Sequence, residues 1–570
     1  MSAAAIASGS GSGRSSRSDG SIWLFGPGID IAFGCGGLYL VLFSLMAGGA
    51  FGIPTGVHEL LAPALILLFS LPHYGATLLR VYERREDRQR YHFFAVWGAV
   101  LVYGLYFVGL NVPVVGAWFL TLYLTWSPWH YSGQNFGIAM TFLRRAGVPV
   151  DARTRRLLQL SFTLSFVVVF LASHGGFGRQ ADYAVSNRYA GNFEFLSLGL
   201  PAAITDVAMP LCLLGIVLCL GGVALGLRGK VDLRAAVPTA LIVVLQTVWM
   251  TVPFALGHYR ISTGIPFIDL VTRSTLFTYI AVAHSCQYLW VTSFFARKSS
   301  TWSNQGVYWL KAMAFGHAVV LVPTVLAVAT PLAGVSFDAG PAVLVIAALN
   351  LHHFILDGAI WKLRSGPIAN ILLRDQPPEG APLAVAQRRP WRRPLAVGVL
   401  ALFLATASLQ AGNRILGVED GLRKGDPERA SAALDRLAWL AQESSADRMR
   451  IGDAFVALGR TEDAEREFAR SVALRATPAA LLKLAQTRAA RGNPAGALDA
   501  YDEALELEPR WVPAMEGGGL MAYHAGMYEE AVRRLRPLFA AGHASADARA
   551  AYLASRRALQ ERAAGGVPDG

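Results

Sequence analysis

The sequence predicts an all-α fold in two parts, a bundle of about eleven transmembrane helices followed by a solenoid of short paired helices. Three observations carry this prediction. Apolar runs of roughly 20 residues, the length that crosses a bilayer, recur from about Ile31 to Gln410. Beyond Gly412 the composition turns abruptly to Ala, Arg, Glu and Asp. Within that second part small and apolar residues recur with a period near 34. A chain of 570 residues that is 54% hydrophobic and 16% charged is too apolar for an ordinary soluble enzyme.

Taken in order, residues 1–26 are rich in Ser, Gly and Ala with Arg14 and Arg17, and predict a disordered cytoplasmic tail. No apolar core with a cleavage site follows, so the first long apolar run is expected to stay as an anchor. The membrane part, 27–411, is expected to span near 30–50, 58–80, 92–110, 113–140, 156–173, 206–227, 235–256, 267–294, 308–330, 341–363 and 394–410. The long connection from about Ser173 to Thr205 has room for a re-entrant or amphipathic element.

Charge sets the orientation. The net charge of +12 is concentrated in alternate loops, among them Arg80 to Arg90, Arg144 to Arg156 and Lys362 to Arg393. The intervening loops hold only Arg179, Arg188, Arg260 and Arg273. This is the bias of an inner-membrane protein with its N-terminus and basic loops in the cytoplasm, not the basic face of a nucleic-acid binder. An odd number of spans then puts residues 412–570 outside the cytoplasm. Cys35, Cys212, Cys219 and Cys286 lie in predicted spans without CxxC spacing, so neither a disulfide framework nor a thiolate metal site is expected.

In the second part Gly425, Gly459, Gly492 and Gly526 recur at 34, 33 and 34 residues. Ala430, Ala464, Ala497 and Ala531 follow each glycine by five, and Leu434, Phe468, Tyr501 and Leu535 follow by four more. Glycine suits the turn between paired helices, and small alanine lets them cross closely. The third copy, Gly492 to Pro509, resembles the tetratricopeptide repeat, and the resemblance covers about Gly421 to Arg562. It implies an α-solenoid that binds a peptide or another protein.

The chemistry is expected in the first part. Ten of the twelve histidines precede Gly412, and His73, His92, His130, His284, His317, His352 and His353 fall in or beside the inner halves of their spans. Helical spacing puts Asn350, His353, Asp357, Trp361 and Arg364 on one stripe, Ser70, His73, Thr77 and Arg80 on another, and Trp126, His130, Gly133, Gln134 and Gly137 on a third. His284, Gln287 and Tyr288 share a fourth. A lone buried histidine is usually hydrogen-bonding glue between helices. Several from different spans point to function, because ionisable groups are expensive inside a bilayer.

His73, His130, His284, His352 and His353 are therefore the candidate metal ligands, with His353 and Asp357 the candidate catalytic pair. Gln134, Gln287 and Asn350 are expected to orient ring N–H groups from behind. A histidine-rich site with one carboxylate suits a transition metal, iron first, over magnesium or calcium.

Inner-leaflet histidines and the His352-His353 pair resemble the polytopic histidine-rich membrane oxygenases, namely desaturases, alkane hydroxylases and bacterial carotene-cleaving dioxygenases. The HxxxxH and HxxHH boxes of desaturases are missing. The resemblance implies a membrane oxidoreductase acting on a lipid-soluble substrate, in a groove lined by Trp126, Trp129, Tyr288 and Trp361. Two readings stand beside it. One is a transporter or envelope assembly factor whose repeats recruit a protein. The other is a lipid-linked-sugar glycosyltransferase, which would need an acid near the short 51–57 loop, where Glu59 is the only one. Haem held by facing histidines is a further possibility.

Overall fold

The computed structural model describes residues 22–38, 40–41, 64–83, 85–175, 193, 195–259, 274–298, 304–329, 340–361, 370–373, 392–439 and 442–564. All regular structure among them is helical. The chain runs through α1 (Leu71–Tyr82), α2 (Gly98–Asn111), α3 (Pro113–Arg145), α4 (Ala152–His174) and α5 (Ala202–Leu227). It continues through α6 (Leu233–Gln246), α7 (Ser274–Lys298), α8 (Gln305–Ala329), α9 (Pro341–Ile360) and α10 (Arg392–Ala411). Eight shorter helices follow: α11 (Pro427–Ala438), α12 (Ser445–Ala457), α13 (Thr461–Leu474), α14 (Pro478–Ala490), α15 (Pro494–Leu507), α16 (Val512–His524), α17 (Tyr528–Ala540) and α18 (Ala546–Ala564).

Five segments are long and apolar enough to cross a membrane: Phe93–Asn111, Ala152–His174, Ala202–Leu227, Leu233–His258 and Val343–Ile360. Two of them contain a run wound as a π-turn, Phe93–Trp97 and Thr247–Thr251, and a third such turn, Ile66–Ser70, leads into α1. The remaining part of the first expected span, the 1–21 tail and most of the 173–205 connection lie outside the described residues.

Helix α3 is the spine of the bundle. It packs against α2, α4, α6 and α9. Its 33 residues run through Pro128 without ending. Helices α1 and α8 make the tightest crossing. A Cβ on Gly75 would lie 1.8 Å from the Ala312 carbonyl oxygen, and one on Gly316 would lie 1.9 Å from the Leu71 carbonyl oxygen. The two backbones therefore touch, as small residues allow in helix bundles.

Before α1, the segment from Ile22 folds against α7. Asp30 accepts from the backbone N–H groups of Leu24 at 2.5 Å and Phe25 at 3.2 Å, and from the Trp290 indole at 2.9 Å. Gln287 donates to the Gly34 carbonyl at 3.1 Å. A buried acid with three donors is satisfied and pins this segment to the bundle.

The shorter helices each pack on the next, and their core residues form clusters separate from those of α1 to α9. Gly425, Gly459, Gly492 and Gly526 all sit in turns at φ of 71° to 75°, the left-handed conformation that favours glycine. Ala430, Ala464, Ala497 and Ala531 are completely buried, and Leu434, Phe468, Tyr501 and Leu535 are buried beside them. Arg448 is buried as well, bonded to Glu467 at 2.8 Å and Asp435 at 2.6 Å, so its charge is compensated inside the helical stack.

Candidate metal centre

Four helices each send a histidine to one point. Pro72 falls in the first turn of α1, where a missing N–H costs nothing, and His73 follows it one residue later. His130 projects from the middle of α3 just after Pro128. His284 comes from α7 and His353 from α9. His73, His284 and His353 are buried, and His130 is 12% exposed. Ring centroids are 4.4 Å apart for His73 and His353, 4.8 Å for His130 and His284, and 5.2 Å for His130 and His353. Asp357, one turn beyond His353 on the same face, completes the group.

The hydrogen bonds behind these rings fix where their protons sit. His73 Nδ1 lies 2.6 Å from the Ser70 carbonyl oxygen. A carbonyl only accepts, so Nδ1 carries the proton and Nε2 presents a lone pair. On the other side, His353 Nδ1 lies 2.9 Å from Thr77 Oγ1, and Thr77 Oγ1 donates to the Tyr288 hydroxyl at 2.7 Å. Tyr288 donates in turn to Asp357 Oδ1 at 2.9 Å. With Asp357 as the final acceptor, that chain runs from His353 through Thr77 and Tyr288. It makes His353 Nδ1 a donor and leaves His353 Nε2 as a lone pair too.

The two lone pairs face each other. His73 Nε2 and His353 Nε2 are 3.2 Å apart, with Asp357 Oδ2 3.3 Å from His353 Nε2 and 3.7 Å from His130 Nε2. Acceptors converging in a buried space repel unless a cation lies between them. Among the described residues, His130 Nε2 and both ring nitrogens of His284 are buried without a hydrogen-bond partner, as is His352 Nε2. Ligand atoms held about 2.1 Å from one metal ion are separated by about 2.9 Å at right angles and about 3.4 Å at the tetrahedral angle. The spacings found here fall in or near that range. His73, His284 and His353 form one group whose ligand atoms lie within 4.8 Å of one another, and His130, His353 and Asp357 form a second. The groups share His353.

His352, expected as a ligand, belongs to neither group. Neighbouring residues on a helix point about 100° apart, and with His353 turned inward His352 faces Tyr103 and Gly98 of α2. The three amides, expected behind the rings, bond elsewhere. Gln134 donates to the His284 backbone carbonyl at 3.2 Å and to Gln287 at 3.1 Å, Gln287 reaches Gly34, and Asn350 bonds the Ile346 carbonyl at 2.9 Å. None of the three touches an imidazole in these bonds. The groups behind the rings are Ser70, Thr77 and Tyr288. Ser285, 3.3 Å from His73 Nδ1, joins them. Ser70, Thr77 and Tyr288 stood in the polar stripes already, but spacing alone does not say which polar neighbour reaches a ring.

A cavity of about 350 Å³ opens beside the centre. His130 and Asp357 form part of its wall, and all four expected aromatic residues, Trp126, Trp129, Tyr288 and Trp361, line it. Trp361 donates to the Tyr288 hydroxyl at 3.2 Å, which couples the cavity wall to the chain of bonds that holds Asp357. The arrangement offers metal-binding nitrogens and a carboxylate at one end of an aromatic-walled space.

No family model, curated protein or solved structure matches this chain.

Proposed function

We propose that this chain is an integral membrane metal-dependent oxidoreductase acting on a lipid-soluble substrate. The observation that carries the reading is the convergence of His73, His130, His284, His353 and Asp357, with two imidazole lone pairs 3.2 Å apart and three further ring nitrogens unpartnered. A proton alone would satisfy one such pair but would leave the other nitrogens without partners. Four imidazoles with one carboxylate favour a first-row transition metal, and iron is the choice consistent with the resemblance to histidine-rich membrane oxygenases.

Bound there, iron would supply redox chemistry and activation of dioxygen. The chain's own residues prepare the place. Ser70 and Thr77 hold the ring protons of His73 and His353 away from the centre. Tyr288 keeps one oxygen of Asp357 occupied and leaves the other facing the histidines. Trp126, Phe354 and Trp361 give the adjoining cavity an apolar wall.

Around this centre we read eleven spans with the N-terminus in the cytoplasm, and a tetratricopeptide-type solenoid outside that binds a protein or peptide. The support is the alternating basic loops, and the glycine and alanine positions that fall in turns and in helix contacts.

Elemental analysis of the purified full-length protein tests the centre. One iron per chain is expected, lost in His130→Ala, His353→Ala and Asp357→Ala but kept in His352→Ala. A well-folded wild-type protein without stoichiometric metal would leave the transport or assembly reading in its place.

A further inference from the structure

We infer that Gly133, Gly137 and Gly358 form a portal through which a single extended hydrocarbon chain passes sideways from the bilayer to Asp357 and His130. The inference rests on the membrane and metal reading above and adds a route and the residues that gate it. All three glycines line the cavity, and a Cβ built on any of them meets nothing within 4 Å. At the tight crossing of α1 and α8 glycine is required by contact; here it leaves space. Gly133 and Gly358 are exposed among the described residues.

The direction of the opening follows from α3. Trp118, Leu122 and Trp129 are each 47% exposed, and with Gly133 they lie within an arc of roughly 60° on one helix face. A large, exposed, wholly apolar face on a buried-site helix is the face that lipid covers. The gap at Gly133 interrupts that face, and behind it lie the aromatic wall and then His130 and Asp357. The occupant that fits an opening of this kind is an apolar chain already dissolved in the membrane. A charged or sugar-bearing group would have to leave water to reach it.

Photolabelling in lipid nanodiscs tests the portal. The probe is a 16-carbon fatty acid with a diazirine at its far end, and a second arm uses a farnesyl chain with the same group. A short water-soluble diazirine is the control. Alkyl diazirines label buried carboxylates, and Asp357 stands at the inner wall. The wild-type protein is expected to carry the label on Asp357 from the hydrocarbon probes and not from the control. Which of the two arms labels it separates an acyl from an isoprenoid chain.

Gly133→Leu and Gly137→Leu are expected to reduce that label at least tenfold while metal content and melting temperature stay unchanged. Labelling that persists in both variants, that is absent from the wild type, or that is matched by the control overturns the portal. Labelling that behaves as expected in a protein without metal upholds the portal and overturns the metal centre, so the two failures are distinguishable.

Discussion

At the scale of single residues, Thr77 has the most informative position. Its hydroxyl accepts from one ring and passes its own proton on to Tyr288, so it connects His353 with Asp357 through two side chains. Thr77→Val keeps the shape and removes both bonds. Metal affinity is expected to fall ten- to a hundredfold, as it does when partners behind a ligand are lost, with Thr77→Ser recovering most of it. Competition against a chelator of known affinity measures this. Much of the cluster was legible in the sequence because its members obey helical spacing: Asp357 four residues after His353, and Thr77 four after His73. The choice between His352 and His353 was legible only through Asp357, since just one of the pair shares its stripe. The bonds that Gln134, Gln287 and Asn350 make were not legible. A long amide side chain reaches a backbone carbonyl as easily as a ring, and the carbonyl leaves no mark on the sequence.

Among elements, α1 and α8 depend on each other most directly. Gly75 and Gly316 put two backbones in contact within a turn of His73, so anything that separates these helices also moves that ring. Gly75→Ala forces a methyl group onto a carbonyl oxygen and is expected to cost about 3 kcal/mol or more, the upper end of overpacking penalties. Gly133→Ala places its methyl group in open space and is expected to leave stability unchanged or slightly raised, because alanine is the better helix former. Thermal melting in detergent separates the two variants. Sequence reading placed α1 to α9 because long apolar runs are strong signals, but it passed over Asp30. A lone acid in an apolar run carried a signal of its own, since it must find donors, and Leu24, Phe25 and Trp290 are the donors it finds.

Over the whole molecule, two kinds of helix serve different needs. The long helices build a buried polar centre inside an apolar body. The short ones, from α11 onward, repeat a turn glycine, a buried alanine and a buried larger apolar residue, and that period is why these positions were readable from the sequence. The orientation proposed from the basic loops has a direct measurement. All four native cysteines are buried. On intact cells a membrane-impermeant maleimide is expected to modify the protein carrying Glu508→Cys and to spare the one carrying Arg88→Cys, with the pattern reversed on inside-out vesicles. Labelling of both from the same side would place the repeats in the cytoplasm.

One consequence of the centre's construction concerns the order of its making. Its donors are drawn from residue 73 through residue 357, so no early stretch of the nascent polypeptide holds a complete set. His73 and His130 emerge long before their companions and wait in the translocating chain as isolated imidazoles, each a poor trap on its own. On the metal reading proposed above, capture of an ion would come only after α9 is made, and the completed cage would draw four otherwise separate stretches together like a drawstring.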